Sequence, residues 1–216
     1  MIRNVLLAAG LIGSALALSG CGGRFSLPGA PADSRPERAS QERDRDRERD
    51  RDRDQEVASS PLGATEAQIF DTEGAAIGTA TLTEGSAGVL IRLNFNAGGL
   101  PAGWHGVHLH EVGTCADAFR ASGAHVGHGQ RKVRHGLLNP DGPEAGDLPS
   151  IFAPASGDFG AELYSPFVSL HGEGDRAAIL DGDGTALIIH ENSDDQATQP
   201  IGGAGGRIAC AAFTRD

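Results

Sequence analysis

The stretch Val89-Leu-Ile-Arg-Leu-Asn-Phe95 sets Val89, Ile91, Leu93 and Phe95 on one parity and Leu90, Arg92 and Asn94 on the other. Successive side chains of a strand point to opposite faces, so the alternation predicts a β-strand with one buried face. Runs of the same texture lie at 66–70, 76–83, 104–112, 161–170, 176–180, 185–190 and 207–213. Turn signals such as Glu84-Gly85, Asp141-Gly142 and Asp181-Gly182-Asp183-Gly184 separate several of them, and no stretch carries a helical period. An all-β antiparallel sandwich or barrel follows. The segment from Thr114 to Ser156 has few alternating runs but many Gly, Pro, His and charged residues. A loop that long inside a compact domain is expected to be functional.

Upstream of Pro61 the texture is different. Met-Ile-Arg-Asn is followed by an apolar run from Val5 to Leu18, which reads as a signal peptide over residues 1–20 and is too short and too rich in Ala and Gly for a good membrane span. Leu18-Ser19-Gly20-Cys21 resembles the bacterial lipobox, in which the cysteine becomes the lipidated first residue of the mature chain. Of three cysteines in an exported chain, Cys21 then has a use of its own, and Cys115 and Cys210 remain to pair. Such a bond closes a long loop, worth roughly 4 to 5 kcal/mol at most in an oxidising compartment.

Residues 42–54 read ERDRDRERDRDRD, and nothing in 21–60 can build a core, so that segment is expected to be an unstructured Arg/Asp-rich spacer between lipid and domain. Residues 1–60 hold ten basic and ten acidic side chains, so the net charge of −11 belongs entirely to the domain at 61–216. An acidic domain argues against nucleic acid as a partner.

The chemistry-bearing residues cluster in five stretches. Gly103-Trp-His-Gly-Val-His-Leu-His-Glu-Val-Gly-Thr-Cys115 sets His108 and His110 two apart, on one face of a strand, where two imidazoles can grip one ion. His105 points to the other face. Downstream come Ser122-Gly-Ala-His125-Val-Gly-His128-Gly-Gln-Arg-Lys-Val-Arg-His135-Gly and Gly142-Pro-Glu144-Ala-Gly-Asp147-Leu-Pro. Near the C-terminus stand Ala186-Leu-Ile-Ile-His190-Glu-Asn-Ser-Asp194-Asp195 and Gly205-Gly-Arg207-Ile-Ala-Cys210.

This order of motifs, across about residues 64–214, resembles the copper/zinc superoxide dismutase family. The resemblance implies an eight-stranded antiparallel Greek-key β-barrel with long metal-binding loops. It also implies copper on His108, His110, His125 and His190, with His125 bridging to zinc and His135 and Asp147 as further zinc ligands. Asp194 matches the carboxylate that orients a copper histidine and a zinc histidine. Arg207 matches the arginine beside copper that docks the anion, with His125 as its catalytic partner in proton transfer. Cys115–Cys210 matches a disulfide tying the long loop to the last strand. His105 matches an uncoordinated structural histidine, and His171 receives no role.

The implied reaction is disproportionation of superoxide to oxygen and hydrogen peroxide, with copper and zinc as cofactors. Imidazole suits both Cu(II) and Cu(I), and zinc is redox-inert. A copper-binding or copper-delivery module without turnover is the alternative, but it would be expected to have lost copper ligands, and all four are here. A structural envelope lipoprotein whose charged arm is its functional part would need no copper site. The resemblance allows a homodimer as well as a monomer. The export signals place the chain in a bacterial envelope, on the periplasmic side, held by lipid alone. Gly22 after the cysteine, in place of aspartate, points to the outer membrane.

Two departures stand out. Three residues before Asp147, where the family has its third zinc histidine, this chain has Glu144. Glu144 itself, His128 from the two-residue expansion between His125 and His135, or a three-ligand site can each fill that role. His128, seven residues before His135, also competes for the bridge, although Ser-Gly-Ala-His favours His125. Between His190 and Arg207, Asp194-Asp-Gln-Ala-Thr-Gln-Pro200 has no lysine to help draw in superoxide, so guidance is expected to be weak.

Overall fold

The computed structural model describes Arg45, Arg47 and residues 62–127 and 133–215. The signal peptide predicted at 1–20, Cys21, His128 and all of the 21–60 spacer except Arg45 and Arg47 lie outside them. Arg45 and Arg47 have helical backbone.

Every described strand falls in the second of the chain's two compact units, Gln55–Asp216. The strands are β1 (Ala64–Asp71), β2 (Ala76–Gly85), β3 (Gly88–Phe95), β4 (Gly103–His110), β5 (Asp147–Ala153), β6 (Phe159–Ser165), β7 (Val168–Ser169), β8 (Ala177–Ala178), β9 (Thr185–His190) and β10 (Arg207–Phe213). Eight of them form one antiparallel sheet in the order β5-β4-β9-β10-β1-β2-β3-β6. Its edges β5 and β6 pack together, which nearly closes a barrel. The non-consecutive pairings β3–β6, β4–β9 and β1–β10 carry the crossovers.

The opening stretch behaves as its alternation requires. Val89, Ile91, Leu93 and Phe95 are buried inside the barrel, and Arg92 and Asn94 are exposed. They share that core with Ile69, Leu82, Val107, Leu109, Leu148, Leu187, Ile189 and Phe213. Each fully buried Leu, Ile or Phe contributes about 1.5–3 kcal/mol of transfer free energy.

Two strand assignments need correction. The run at 176–180 is not a barrel strand: β8 makes only a two-residue parallel pair with β7, which is the tail of the predicted 161–170 run. The eighth barrel strand is β5, inside the segment taken for loop. Its sequence Asp147-Leu-Pro-Ser-Ile-Phe-Ala153 hides the alternation. A carboxylate is buried at its start, Pro149 interrupts it at a sheet edge where a missing N–H is tolerated, and Phe152 is exposed.

The same period of two gives the barrel a second, polar face. On β4, Val107 and Leu109 point inward, so His108 and His110 point outward. On β9, Leu187 and Ile189 point inward, so His190 stands beside them on the outside. The loop residues at 111–127, 133–146 and 191–206 fold over this outer face and bury it. Beneath the first loop, Phe119, Ala186, Ile188 and Cys210 form a small apolar cluster of their own.

Candidate metal centre

Burial removes solvent from all five outward histidines: His108, His110, His125, His135 and His190 are each at most 7% exposed. A buried polar atom is normally paired, so the useful question is where each ring nitrogen goes. The His108 Nε2–H donates to Asp194 Oδ2 at 2.6 Å, His110 Nδ1–H to Gly123 O at 2.9 Å, and His190 Nδ1–H to Gly205 O at 3.1 Å. Carbonyls and carboxylates only accept, so these bonds fix the tautomers and leave a lone pair on the other nitrogen. Those other nitrogens, His108 Nδ1, His110 Nε2 and His190 Nε2, together with His125 Nε2, have no hydrogen-bond partner. One ligand atom from each of the four rings lies within 4.8 Å of the others, so the group could hold a metal ion. Four convergent orphaned imidazole nitrogens fit copper, which takes nitrogen donors in both oxidation states.

Electrostatics favours the same use. Burial and the neighbouring rings push the His110 imidazole down to about 2 and that of His190 to about 3. Burial also lowers His108, and the Asp194 hydrogen bond only partly opposes it. All three rings stay neutral at physiological pH, with lone pairs free for a cation.

A second group sits on the far side of His125. The His125 Nδ1 lies 3.1 Å from Asp147 Oδ1 and 2.9 Å from Glu144 Oε2, and His135 Nδ1 lies 2.7 Å from Asp147 Oδ1. Asp147 Oδ2 accepts the backbone N–H groups of Gly136 (2.7 Å) and Glu144 (2.8 Å), which hold the carboxylate still. Burial alone would keep His125 and His135 neutral, but the hydrogen bonds to carboxylates outweigh it and raise both, His135 to about 10. Without a metal, protons on these rings stand where a dication would, and an entering cation displaces them. Two imidazoles and two carboxylates are a chemically sound zinc donor set.

Asp194 joins the groups. Its carboxylate accepts from His108 at 2.6 Å and from His135 Nε2 at 3.1 Å, and Gln196 N–H donates to it at 2.6 Å. Burial works against its charge, but these bonds hold its carboxyl well below the usual carboxylate range. Gly202 makes room for it: a Cβ there, at φ 57°, would meet Asp194 Oδ1 at 1.6 Å. Arg207, at the start of β10, donates from Nη1 to Phe119 O (2.6 Å) and Ser122 Oγ (3.0 Å), and from Nη2 to Gly123 O (2.7 Å). It lines one open cavity with His110, His125, His190 and Glu144.

The described residues selected from the sequence as metal ligands therefore converge, and Glu144 comes to His125. His105 does not join: its Nδ1 faces His190 O and its Nε2 faces Pro101 O, each at 2.8 Å, so neither nitrogen is spare. Cys115 and Cys210 form the disulfide. Sequence reasoning missed the carbonyls of Gly123, Gly205 and Phe119, which aim His110, His190 and Arg207. Glycines at 123 and 205, with φ of 79° and 80°, were the available signal.

A family model described as copper/zinc superoxide dismutase matches residues 76–213. The chain is 52% identical over 139 residues to the Cu-Zn superoxide dismutase of Caulobacter vibrioides, covering 64% of this chain and 78% of that protein. Among solved structures it is similar to a superoxide-dismutase-like protein from Bacillus subtilis, at 35% identity and a TM-score of 0.62, covering 68% of this chain and 96% of the other. The Cu/Zn superoxide dismutase of Brucella abortus gives 26% identity and a TM-score of 0.54, covering 69% and 99%.

Proposed function

The chain belongs to the copper/zinc superoxide dismutase family, and we propose that it disproportionates superoxide through copper on His108, His110, His125 and His190 beside zinc on His125, His135, Asp147 and Glu144. The convergence of four orphaned, buried imidazole nitrogens carries this reading. A delivery module has no need of the guanidinium that borders the same cavity. When bound, copper supplies a one-electron couple that oxidises one superoxide to oxygen and reduces a second, which takes up two protons to become hydrogen peroxide, while zinc supplies a redox-inert charge.

The chain's own residues do the rest. Backbone carbonyls and Asp194 fix the tautomers of His108, His110 and His190, so that every free nitrogen faces the same point. His125 presents Nε2 to that point and Nδ1 to the second group, which makes it the atom pair through which this chain can bring a proton to the cavity. Arg207 is anchored by three acceptors and so offers a fixed positive charge to a small anion in an acidic domain.

The direct test is superoxide decay catalysed by the purified chain carrying one copper and one zinc. With a chelator present to silence free copper, decay no faster than with the metal-free chain would overturn the assignment. Arg207→Glu is expected to lower turnover about 10- to 100-fold, the range of a hydrogen bond to a charged group, while copper content falls much less. The loss should shrink with added salt, since attraction at a distance is screened over about 10 Å at 0.1 M. Equal losses of copper and activity would make Arg207 a structural residue alone.

The same proposal covers export. Residues 1–20 act as a signal peptide, Cys21 carries lipid, and 21–60 tethers the 61–216 domain on the periplasmic side of the outer membrane. A disulfide in the domain supports an oxidising compartment. Cys21→Ser should release a fully active enzyme from the membrane fraction, because the anchor is covalent lipid beyond a spacer. Retention of the Cys21→Ser variant on membranes would remove the lipid from that position. A homodimer is compatible with this tethering.

A further inference from the structure

We propose that Gln196 is a positioning residue for the second metal group: its side-chain amide sets the spacing between the segments that carry His135 and Asp147. The inference rests on the reading of those two residues as zinc ligands. Each of them lies next to a backbone group that Gln196 holds. Leu137, two residues after His135, donates its N–H to Gln196 Oε1 at 3.3 Å. Gln196 Nε2 in turn donates to the carbonyl of Leu148, the residue after Asp147, at 3.1 Å. One half-buried amide thus spans both segments, and only this orientation satisfies its acceptor end and its donor end together.

The backbone of the same residue completes the link. Its N–H donates to Asp194 Oδ1 at 2.6 Å, and its carbonyl accepts the Leu138 N–H at 2.9 Å. The two segments pass closely here: a Cβ on Gly136 would meet Gln196 O at 2.3 Å. Gln196 also has a φ of 62°, in the left-handed region where glycine fits without strain. Glycine would serve the turn better, so what this position gains for its backbone cost is the long amide side chain. These bonds lie apart from the acceptors that aim the copper-side rings His110 and His190, which are Gly123 O and Gly205 O.

The test compares Gln196→Gly with Gln196→Met in the full chain carrying one copper. Glycine relieves the left-handed backbone and removes the amide. Methionine keeps the side chain's length and the strain, and it also removes the amide. Zinc affinity, measured by chelator competition, should fall about tenfold in both, the low end of what loss of a supporting partner costs a metal site. Cobalt(II) placed in the second group should show an altered visible absorption in both variants, because that band reports ligand geometry. Copper affinity should stay at the wild-type value. The metal-free chain should melt higher as Gln196→Gly than as Gln196→Met, so a loss of zinc through weakened folding would appear in the methionine variant alone. That pattern would overturn the inference, as would wild-type zinc affinity and cobalt absorption in both variants. Zinc affinity unmoved by His135→Ala would overturn the ligand reading, and the inference with it.

Discussion

His190→Ala is expected to remove superoxide dismutation by at least about a hundredfold, since even groups that only orient a metal ligand are worth 10–100-fold. The His190 ring leaves the end of β9, and with it goes one of the four orphaned nitrogens. The barrel should survive. His190 points to the outer face, while Leu187 and Ile189, which point inward, and the ladder from Thr185 to His190 against β10 are untouched. Copper content should fall and zinc content should not, because His190 makes no contact with His135, Asp147 or Glu144 among its described bonds. His108→Ala should behave differently. His108 shares Asp194 with His135, so its loss frees one side of the carboxylate that orients a proposed zinc ligand, and zinc should loosen along with copper. Metal analysis of the two purified variants, with far-UV circular dichroism as the check on folding, separates these outcomes. Wild-type turnover in His190→Ala would move copper away from this cluster.

Much of this arrangement is legible in the chain because it rests on residue type and a period of two. The alternation in Val89–Phe95 fixes which side of β3 is buried, and the same parity in β4 sends Val107 and Leu109 in and His108 and His110 out. Donor chemistry limits the copper group to imidazoles, and these are few. β5 was illegible because its buried residues include Asp147, whose burial is met by hydrogen bonds rather than by apolar character. Backbone acceptors were illegible for a different reason: every residue carries a carbonyl, and only the folded loop decides that those of Gly123 and Gly205 meet His110 and His190. The left-handed run Asp117, Ala118 and Phe119, at φ 53°, 47° and 67°, has no glycine to announce it. It ends by turning Phe119 O onto Arg207, and backbone strain of this kind gathers at functional sites.

That strained loop makes the disulfide more than a brace, and Cys210→Ser is expected to show both effects. Cys115 and Cys210 stand 95 residues apart in sequence, and a closed loop of that length is worth about 4.5 kcal/mol of unfolded-state entropy. For a domain of this size the melting temperature of the metal-free protein should fall by about 10–20 °C. The second effect follows from what Cys115 holds in place. It begins the segment that supplies Phe119 O, Ser122 Oγ and Gly123 O, the three acceptors of Arg207, and Gly123 O also fixes the tautomer of His110. Cys210 lies on β10 three residues after Arg207, in the small apolar cluster that seats Phe119. Cutting the bond releases one wall of the cavity from the strand that carries its cation. Copper affinity and turnover should therefore fall together below the new melting temperature, while zinc, three of whose four proposed ligands (His135, Asp147 and Glu144) lie beyond the residues that hold Arg207, should be retained better. If Cys210→Ser lowers the melting temperature but leaves copper affinity and turnover at wild-type values, Arg207 and His110 are positioned by the loop's own packing and the disulfide acts on stability alone.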